Sequence, residues 1–479
     1  MGLKQIAVAG ILWSLWQQLS GKIISFGISI FLARLLDPSE FGLIAMLSIL
    51  IAISNLLLDG GLTSSLIRTQ NPTQIDLSTI FFFNLVGSVI IYFLIYVLSP
   101  VIANFYHQPM LKQIARIYSL ILILNAFFGV QSTLLIKEMK FKKQTNIQIP
   151  SIIAGGILGI FMAKLGFGIW SLVAMALCTS LLSTIIHWLS SGWRPSLVFS
   201  YTCFKKHFSF GYKMTISGLV DSLYQNLYLI LIGRYFSVSE LGFYARADAM
   251  AQLPISNISS AVSKVTYPLF SGITEDLDKL KQVYKRMMQQ VIFWNAPLLI
   301  LLIVIAEPLF TILLTKKWEN SIPIFRLLCL GGIMYPLHAY NLNILKVLGK
   351  GSLFLRLEII KKTLSIIGIF LAISYGIYGL LYFQLFFSFT AYYINSIFSG
   401  RLINYPAKEQ LEDISPMLLF AGIIGVFCFY LDRYLINIYD LPYLRICLLS
   451  TCYIGLYGIT AIIIKAPALT DFNQLILKR

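Results

Sequence analysis

Long apolar runs broken by short polar segments set the plan of this 479-residue chain. A membrane-spanning helix needs about 20 apolar residues, and about fourteen stretches reach that length. They lie at about 10–33, 40–59, 78–100, 112–135, 145–164 and 168–189. After a basic link at 194–207 come about 209–232, 240–262, 289–314, 322–345, 353–374 and 377–399. A polar linker at 401–413 precedes a last pair at about 415–431 and 444–464. The pattern predicts an all-α polytopic membrane protein of about fourteen transmembrane helices, grouped six, six and two. Two segments depart from it. The eleventh span opens with Arg356, Glu358, Lys361 and Lys362, so its first turns must leave the bilayer or line a wet cavity. The mixed-charge segment 274–288 reads as a surface helix between the eighth and ninth spans.

The turn after the first span is repeated two hundred positions later. Arg34-Leu35-Leu36-Asp37-Pro38-Ser39-Glu40-Phe41-Gly42 returns as Arg234-Tyr235-Phe236-Ser237-Val238-Ser239-Glu240-Leu241-Gly242. Weaker echoes pair Gly168-Ile169-Trp170-Ser171-Leu172 with Gly376-Ile377-Tyr378-Gly379-Leu380, and Lys137 with Lys346. Internal duplication follows. An even number of spans per half keeps both halves in one orientation, so the repeat is parallel, with its axis along the membrane normal. The expected division is an N-lobe at 1–200, a C-lobe at 201–402, and an additional helix pair with a tail at 403–479.

Composition sharpens this picture. Apolar residues make up 58% of the chain and charged residues 12%, about half the charge of a soluble domain. The loops are too short for a folded extramembrane domain. The net charge of +17 does not point to nucleic acid, because Lys and Arg gather in alternate inter-helix loops. With both termini cytoplasmic, roughly 23 of the 37 basic residues lie inside. The runs at 137–143 and at Lys205-Lys206 would meet anionic lipid headgroups there. Six cysteines (Cys178, Cys203, Cys329, Cys428, Cys447 and Cys452) form no CxxC and read as small core residues. His107, His187, His207 and His338 show no metal-ligand spacing, so no metal site is expected. The first four residues lead into a long first helix without a cleavage signature, which is expected to be retained.

The stretch from Phe31 to Leu43, read through the turn above, resembles the opening motif of Wzx-type polysaccharide-repeat flippases. These belong to the multidrug/oligosaccharidyl-lipid/polysaccharide (MOP) exporter superfamily. Ile232-Gly233-Arg234, Leu241-Gly242-Phe243-Tyr244 and Gln252-Leu253-Pro254 are similar to that family's seventh and eighth helices. Lys317-Trp318-Glu319 with Ile324-Phe325-Arg326-Leu327-Leu328 is similar to its junction of the ninth and tenth. The resemblance covers residues 1 to about 400 and is nearest the colanic-acid and teichuronic-acid branch. It implies a V-shaped pair of pseudo-symmetric six-helix lobes, with a cavity lined by helices one, two, seven and eight. The implied cargo is an undecaprenyl-pyrophosphate-linked oligosaccharide, moved from the inner to the outer leaflet of the bacterial cytoplasmic membrane by alternating access. An ion gradient or the membrane potential would drive it, with H⁺ or Na⁺ as the coupling ion and no other cofactor. Membrane lipids, and the polymerase and export machinery of the same pathway, are the implied partners. The family often places a second basic residue about a turn after Arg246; here the stretch reads Ala247, Ala249, Met250.

Charged residues within spans are functional candidates by default. Lys22 and Asp221 sit near the middle of the first and seventh spans, and the repeat offset puts them at similar depth. They are expected to face one cavity and pair when it is empty. A pyrophosphate would then compete for Lys22 and release Asp221 to bind the coupling ion. Asp248 is the second coupling candidate. Arg246, with a planar fork suited to phosphate, is the second headgroup candidate, and Lys213 the residue of first contact. Gln17, Gln18, Gln225 and Asn226 are polar groups able to bond sugar hydroxyls. Arg34 and Arg234 are expected to cap outer helix ends, and Glu307, Arg116 and Arg326 to be structural.

Two rivals remain at this level. A drug exporter of the same superfamily shares the architecture, though a basic cavity favours a pyrophosphate. A polytopic glycosyltransferase or polymerase would need an acidic metal pair or a catalytic outer loop; the lone D-x-D, Asp276-Leu277-Asp278, lies amid lysines. No catalytic residue is assigned. The phosphate-loop pattern of ATP-driven motors does not occur in the sequence.

Overall fold

The apolar runs form helices because a backbone in lipid must satisfy its own hydrogen bonds. The computed structural model describes residues 3–436, 438, 441–464 and 466–470, with the side chains of residues 3–12, 14, 15, 18 and 210 left out of that description. Residues 1, 2 and 471–479, on which the retained leader and the C-terminal tail partly fall, lie outside it. Among the described residues there are helices and no strand. Ten helical stretches among them are long and apolar enough to cross a membrane, so the chain is a multi-pass membrane protein.

The chain divides into two compact units, Met1–Gly242 and Phe243–Arg479. The first holds α1 (Leu3–Leu35), α2 (Pro38–Asp59), α3 (Leu62–Arg68), α4 (Gln74–Phe105) and α5 (Leu111–Tyr118). It continues with α6 (Leu120–Lys137), α7 (Phe141–Lys164), α8 (Ile169–Ser190), α9 (Tyr201–Gln225) and α10 (Leu227–Tyr235). Within it α7 lies against both α1 and α8, while α9 lies against α2, α3 and α4. Glycines allow the first of these approaches. A methyl group on Gly156 would fall 2.3 Å from Ile28 of α1, and one on Gly155 2.0 Å from Thr179 of α8.

The second unit takes up most of α11 (Val238–Ser271), then α12 (Leu277–Val304), α13 (Ala306–Leu314), α14 (Ser321–Gly332) and α15 (Tyr335–Val347). It ends with α16 (Gly351–Ala372), α17 (Gly376–Leu402), α18 (Ala407–Leu435) and α19 (Pro442–Ile463). The final pair is built into this unit: α18 packs on α12, and α19 on α13 and α18. Arg445 of α19 makes a two-pronged contact with Asp432 of α18, both bonds at 2.9 Å, and reaches Glu307 of α13 at 3.4 Å.

Several expected spans prove to be two helices. Proline accounts for two breaks, because Pro308 and Pro336 near the starts of α13 and α15 cannot donate to the preceding turn. Asn226 marks the break between α9 and α10, where its side chain donates to the Ser222 carbonyl at 2.8 Å. Two polar segments differ from expectation. Residues 277–288 are the opening turns of α12 rather than a separate surface helix, since Asp276 caps the N-terminus by accepting from the Lys279 amide at 2.9 Å. Most of the linker 401–413 is likewise helical, the start of α18. Ion pairs Lys281–Glu409 (3.0 Å) and Lys285–Asp413 (2.8 Å) hold its charges against α12. In α16, the early charges turn partly inward: Lys361 is buried and paired with Glu358.

Candidate functional residues: polar faces within each unit

Polar residues enter the apolar setting in ordered stripes. On α9, Lys213, Ser217, Asp221 and Gln225 fall at every fourth position, and all four are exposed; that spacing puts them on one face. The opposite face is small and inward. Gly218 lies against Leu56 of α2, and Gly211 lies so near the Gly60 carbonyl that a methyl group would stand 2.0 Å from it. Buried Thr215 completes this side by donating to the Gly211 carbonyl at 3.1 Å. Helix α9 is therefore amphipathic inside a membrane protein, and an ionisable group in such a place belongs to water or a ligand.

A second stripe runs along α11. Asp248, Gln252, Ser256, Ser260 and Lys264 again recur at four-residue spacing; Gln252, Ser260 and Lys264 are exposed and the other two half-buried. Gln252 donates to Asp248 at 3.3 Å. Arg246, preferred from sequence, is not on this stripe. It is only 5% exposed, with its guanidinium 5.8 Å from the ring centre of wholly buried Trp318. Lys264 is the cation that α11 presents, and the four-residue spacing from Asp248 is the signal that would have found it.

On α1, Lys22 and Ser25 are exposed. The neighbouring face belongs to α7: Gln17 donates to Gln148 at 3.1 Å, and Gly21 is buried beside the same Gln148. Gln17 is thus already engaged by a helix neighbour. The Gln18 side chain lies outside the described residues. Gln225 is exposed and Asn226 is turned to its own backbone.

The duplicated turns have a common local chemistry. The Glu40 carboxylate accepts from the Asp37 amide at 2.8 Å, and Glu240 accepts from both the Ser237 amide and hydroxyl at 2.9 and 2.8 Å. Each copy is a capping box that starts a helix after a two-residue turn, which is why Ser/Asp and Glu recur in register. Arg234 does not cap its own helix; it donates to the Phe105 carbonyl at the end of α4. Arg116 donates to Ser99 at 2.8 Å and Arg326 to the Ile303 carbonyl at 3.2 Å, both contacts that tie helices together.

The fold, two units of helices with polar stripes on α9 and α11, has counterparts among solved structures. Over 95% of this chain and 99% of the other, a lipid II flippase MurJ in an inward closed conformation matches with a TM-score of 0.75 at 15% identity. An inward-facing MATE-family multidrug resistance transporter matches at 0.61 and 17% identity, over 80% and 94% of the two chains.

Residues 31–323 match the family described as polysaccharide biosynthesis protein, and the chain belongs to that family. Among its relatives, the teichuronic acid biosynthesis protein TuaB of Bacillus subtilis is 28% identical over 63% of this chain and 62% of its own length. The succinoglycan biosynthesis transport protein ExoT of Rhizobium meliloti is 28% identical, over 70% and 69%. The lipopolysaccharide biosynthesis protein WzxC of Escherichia coli is 24% identical, over 70% and 68%. The aligned part thus spans 62% of the teichuronic acid relative. The Wzx-type resemblance and its teichuronic-acid branch, read first from the turn motif, hold.

Proposed function

We propose that the chain is a secondary-type flippase that carries undecaprenyl-pyrophosphate-linked oligosaccharide units from the inner to the outer leaflet of the bacterial cytoplasmic membrane, for surface polysaccharide assembly. The observation that carries this reading is the exposed polar stripe of α9, repeated on α11, in a protein with ten helical stretches long and apolar enough to cross a membrane among its described residues. Each stripe carries one cation and one carboxylate: Lys213 and Asp221 on α9, Lys264 and Asp248 on α11. A pyrophosphate needs positive donors: Lys22 and Lys213 offer them from exposed positions in the first unit, and Lys264 is an exposed cation of the second. Neutral Ser217, Gln225, Ser256 and Ser260 can bond sugar hydroxyls without fixing one sugar. Asp221 and Asp248 are the groups that would bind H⁺ or Na⁺, so that anionic cargo on the lysines and a cation on the carboxylates favour each other's binding. Both termini would lie in the cytoplasm, and the pathway's polymerase would receive the product.

The test is polymer export in a strain deleted for this protein and complemented with Lys22→Ala, Lys213→Ala, Lys264→Ala or Asp221→Asn at matched expression. Loss of export with build-up of the lipid-linked unit is expected from the lysine variants. Normal export from all four would remove the site.

A further inference from the structure

Helices α12, α18 and α19 of the second unit line a cavity of about 240 Å³ that neither polar stripe uses. Its walls are mostly apolar: Phe293, Met417, Phe420, Ala461 and Ile464 stand in them, with Pro467 just past α19. Two ion pairs fix how α12 and α18 run beside one another. Lys281 meets Glu409 at 3.0 Å and Lys285 meets Asp413 at 2.8 Å, so the two helices are parallel and each level of one has its match on the other. By that register Gln289 stands level with Met417, one turn beyond Asp413. The lining positions from Glu412 to Phe420 span about 12 Å of helix, charged at one end and apolar at the other.

Most polar groups in the wall are spent on the protein itself. The Tyr457 hydroxyl donates to the Phe293 carbonyl at 3.0 Å, and Thr460 Oγ1 donates to the carbonyls of Leu456 and Tyr457 at 2.9 and 2.8 Å. Asp413 accepts from the Tyr405 hydroxyl and holds Lys285. Two groups are left over. Gln289 is 8% exposed, lines the cavity, and has no side-chain hydrogen-bond partner among the described residues. A buried amide in that condition is costly unless something enters to meet it. Water is a poor tenant, because it needs several polar partners and would find one amide among apolar walls. Glu412, at the charged end, lies 3.8 Å from Lys408 with both side chains exposed, a contact of little weight in water. Arg286 of α12, at a level between Glu412 and Gln289, is exposed.

We propose that this cavity holds one phospholipid with an ammonium headgroup, of the phosphatidylethanolamine class. From its charged end inward, the site offers a carboxylate, a cation, an amide and then apolar walls. Such a lipid presents an ammonium, a phosphodiester, an ester and an acyl chain in that same order. Glu412 takes the ammonium and Arg286 is the cation for the phosphodiester. Gln289 donates to an ester carbonyl, and the chain lies among Phe293, Met417 and Ala461. Met417 is a flexible wall that adapts to a chain of variable shape. A lipid so placed would brace the last helix pair against α12. The site depends on the chain lying in a membrane and not on its cargo.

The experiment is native mass spectrometry of the purified full-length protein, stripped of lipid in detergent and offered equal amounts of phosphatidylethanolamine and phosphatidylglycerol. One phosphatidylethanolamine per chain is expected to stay bound, about fivefold above phosphatidylglycerol, the weight of one ion pair near water. Glu412→Gln, at an exposed position, should erase that preference while a lipid still binds. Ala461→Trp fills the cavity and should lose the lipid. Gln289→Leu, a milder change, should weaken both lipids alike and guards against misfolding of the tryptophan variant. Equal binding of the two lipids by wild type, an unchanged preference in Glu412→Gln, or full binding in Ala461→Trp would overturn the proposal. So would stronger binding of a polyprenyl phosphate, which carries no ammonium and would assign the cavity to a cargo tail. Export is not read in this measurement, so its failure and the failure of the export assay are told apart.

Discussion

Gly42 and Gly242 occupy matching places in the duplicated turns, and each makes room for the other turn. A methyl group on Gly242 would stand 1.8 Å from the Pro38 carbonyl oxygen, and one on Gly42 would stand 2.1 Å from the Val238 carbonyl oxygen. Pro38 and Val238 are themselves equivalent positions, so the contact is reciprocal, as across a twofold axis. The repeat in sequence is thus a contact in space, at the entry to α2 and α11.

Closing that contact to side chains should be costly. Gly242→Val is expected to lower stability by about 1–3 kcal/mol, the usual range for forcing atoms into a packed site, and to abolish export. Gly129→Ala, where nothing lies within 4 Å of the added carbon, is the control and should be neutral or slightly stabilising. Thermal unfolding of the purified variants is the measurement, and equal midpoints for Gly242→Val and wild type would refute the close approach.

The attachment of the last helix pair gives a second prediction. Arg445 is held by Asp432 and Glu307, and Asp432 is 3% exposed. Arg445→Ala strands a buried carboxylate and is expected to cost about 3–5 kcal/mol. The double variant Arg445→Met/Asp432→Leu removes both charges and should be milder than the single. A double variant as unstable as Arg445→Ala would show that the helices depend on packing lost with the arginine stem instead.

Much of this fold is written plainly in the chain. Each apolar run became helical, and both capping boxes stand in the text as Asp37-x-x-Glu40 and Ser237-x-x-Glu240. What escaped were contacts between distant segments. His207 meets Asp76 and Ser65 from 131 and 142 positions away, and no periodicity links such residues. Arg246 is a case of another kind. Its chemistry singles it out in sequence, yet rotation about a helix decides what a side chain meets, and two residues separate Arg246 from the stripe that begins at Asp248. The Gly60-Gly61 doublet carried a readable signal. Both have positive φ, at 52° and 68°, which marks a left-handed turn, but its partner Gly211 could not be guessed.

A third prediction concerns the core of the second unit. Asn341 accepts from the Tyr284 hydroxyl and from Ser399 at 2.6 Å, and donates to Ser396 at 3.2 Å. All four are buried, in a region where polar groups have no water to fall back on. Asn341→Leu leaves two hydroxyls stranded and is expected to cost about 1–3 kcal/mol per donor left unmet. Asn341→Asp should be less harmful, because both acceptor bonds survive. Thermal unfolding ranks the two, and the reverse order would mean that the donor bond to Ser396 matters more than the acceptor pair.

The coupling role given to Asp221 yields the last prediction. The carboxylate sits exposed on α9, eight residues from Lys213 on the same face. An amide of the same shape cannot hold a proton or a sodium ion, but it keeps the polar stripe wet and leaves Lys213 untouched. In proteoliposomes carrying a lipid-linked oligosaccharide, Asp221→Asn is therefore expected to translocate at a rate indifferent to a pH or Na⁺ gradient, while Lys213→Ala should translocate poorly yet respond to the gradient in proportion. The separation is the informative result, because carboxylate and lysine then act on different ligands. A gradient response retained in Asp221→Asn moves the coupling to Asp248, and the double variant Asp221→Asn/Asp248→Asn decides it: a response that survives both substitutions would strike the carboxylates from the mechanism.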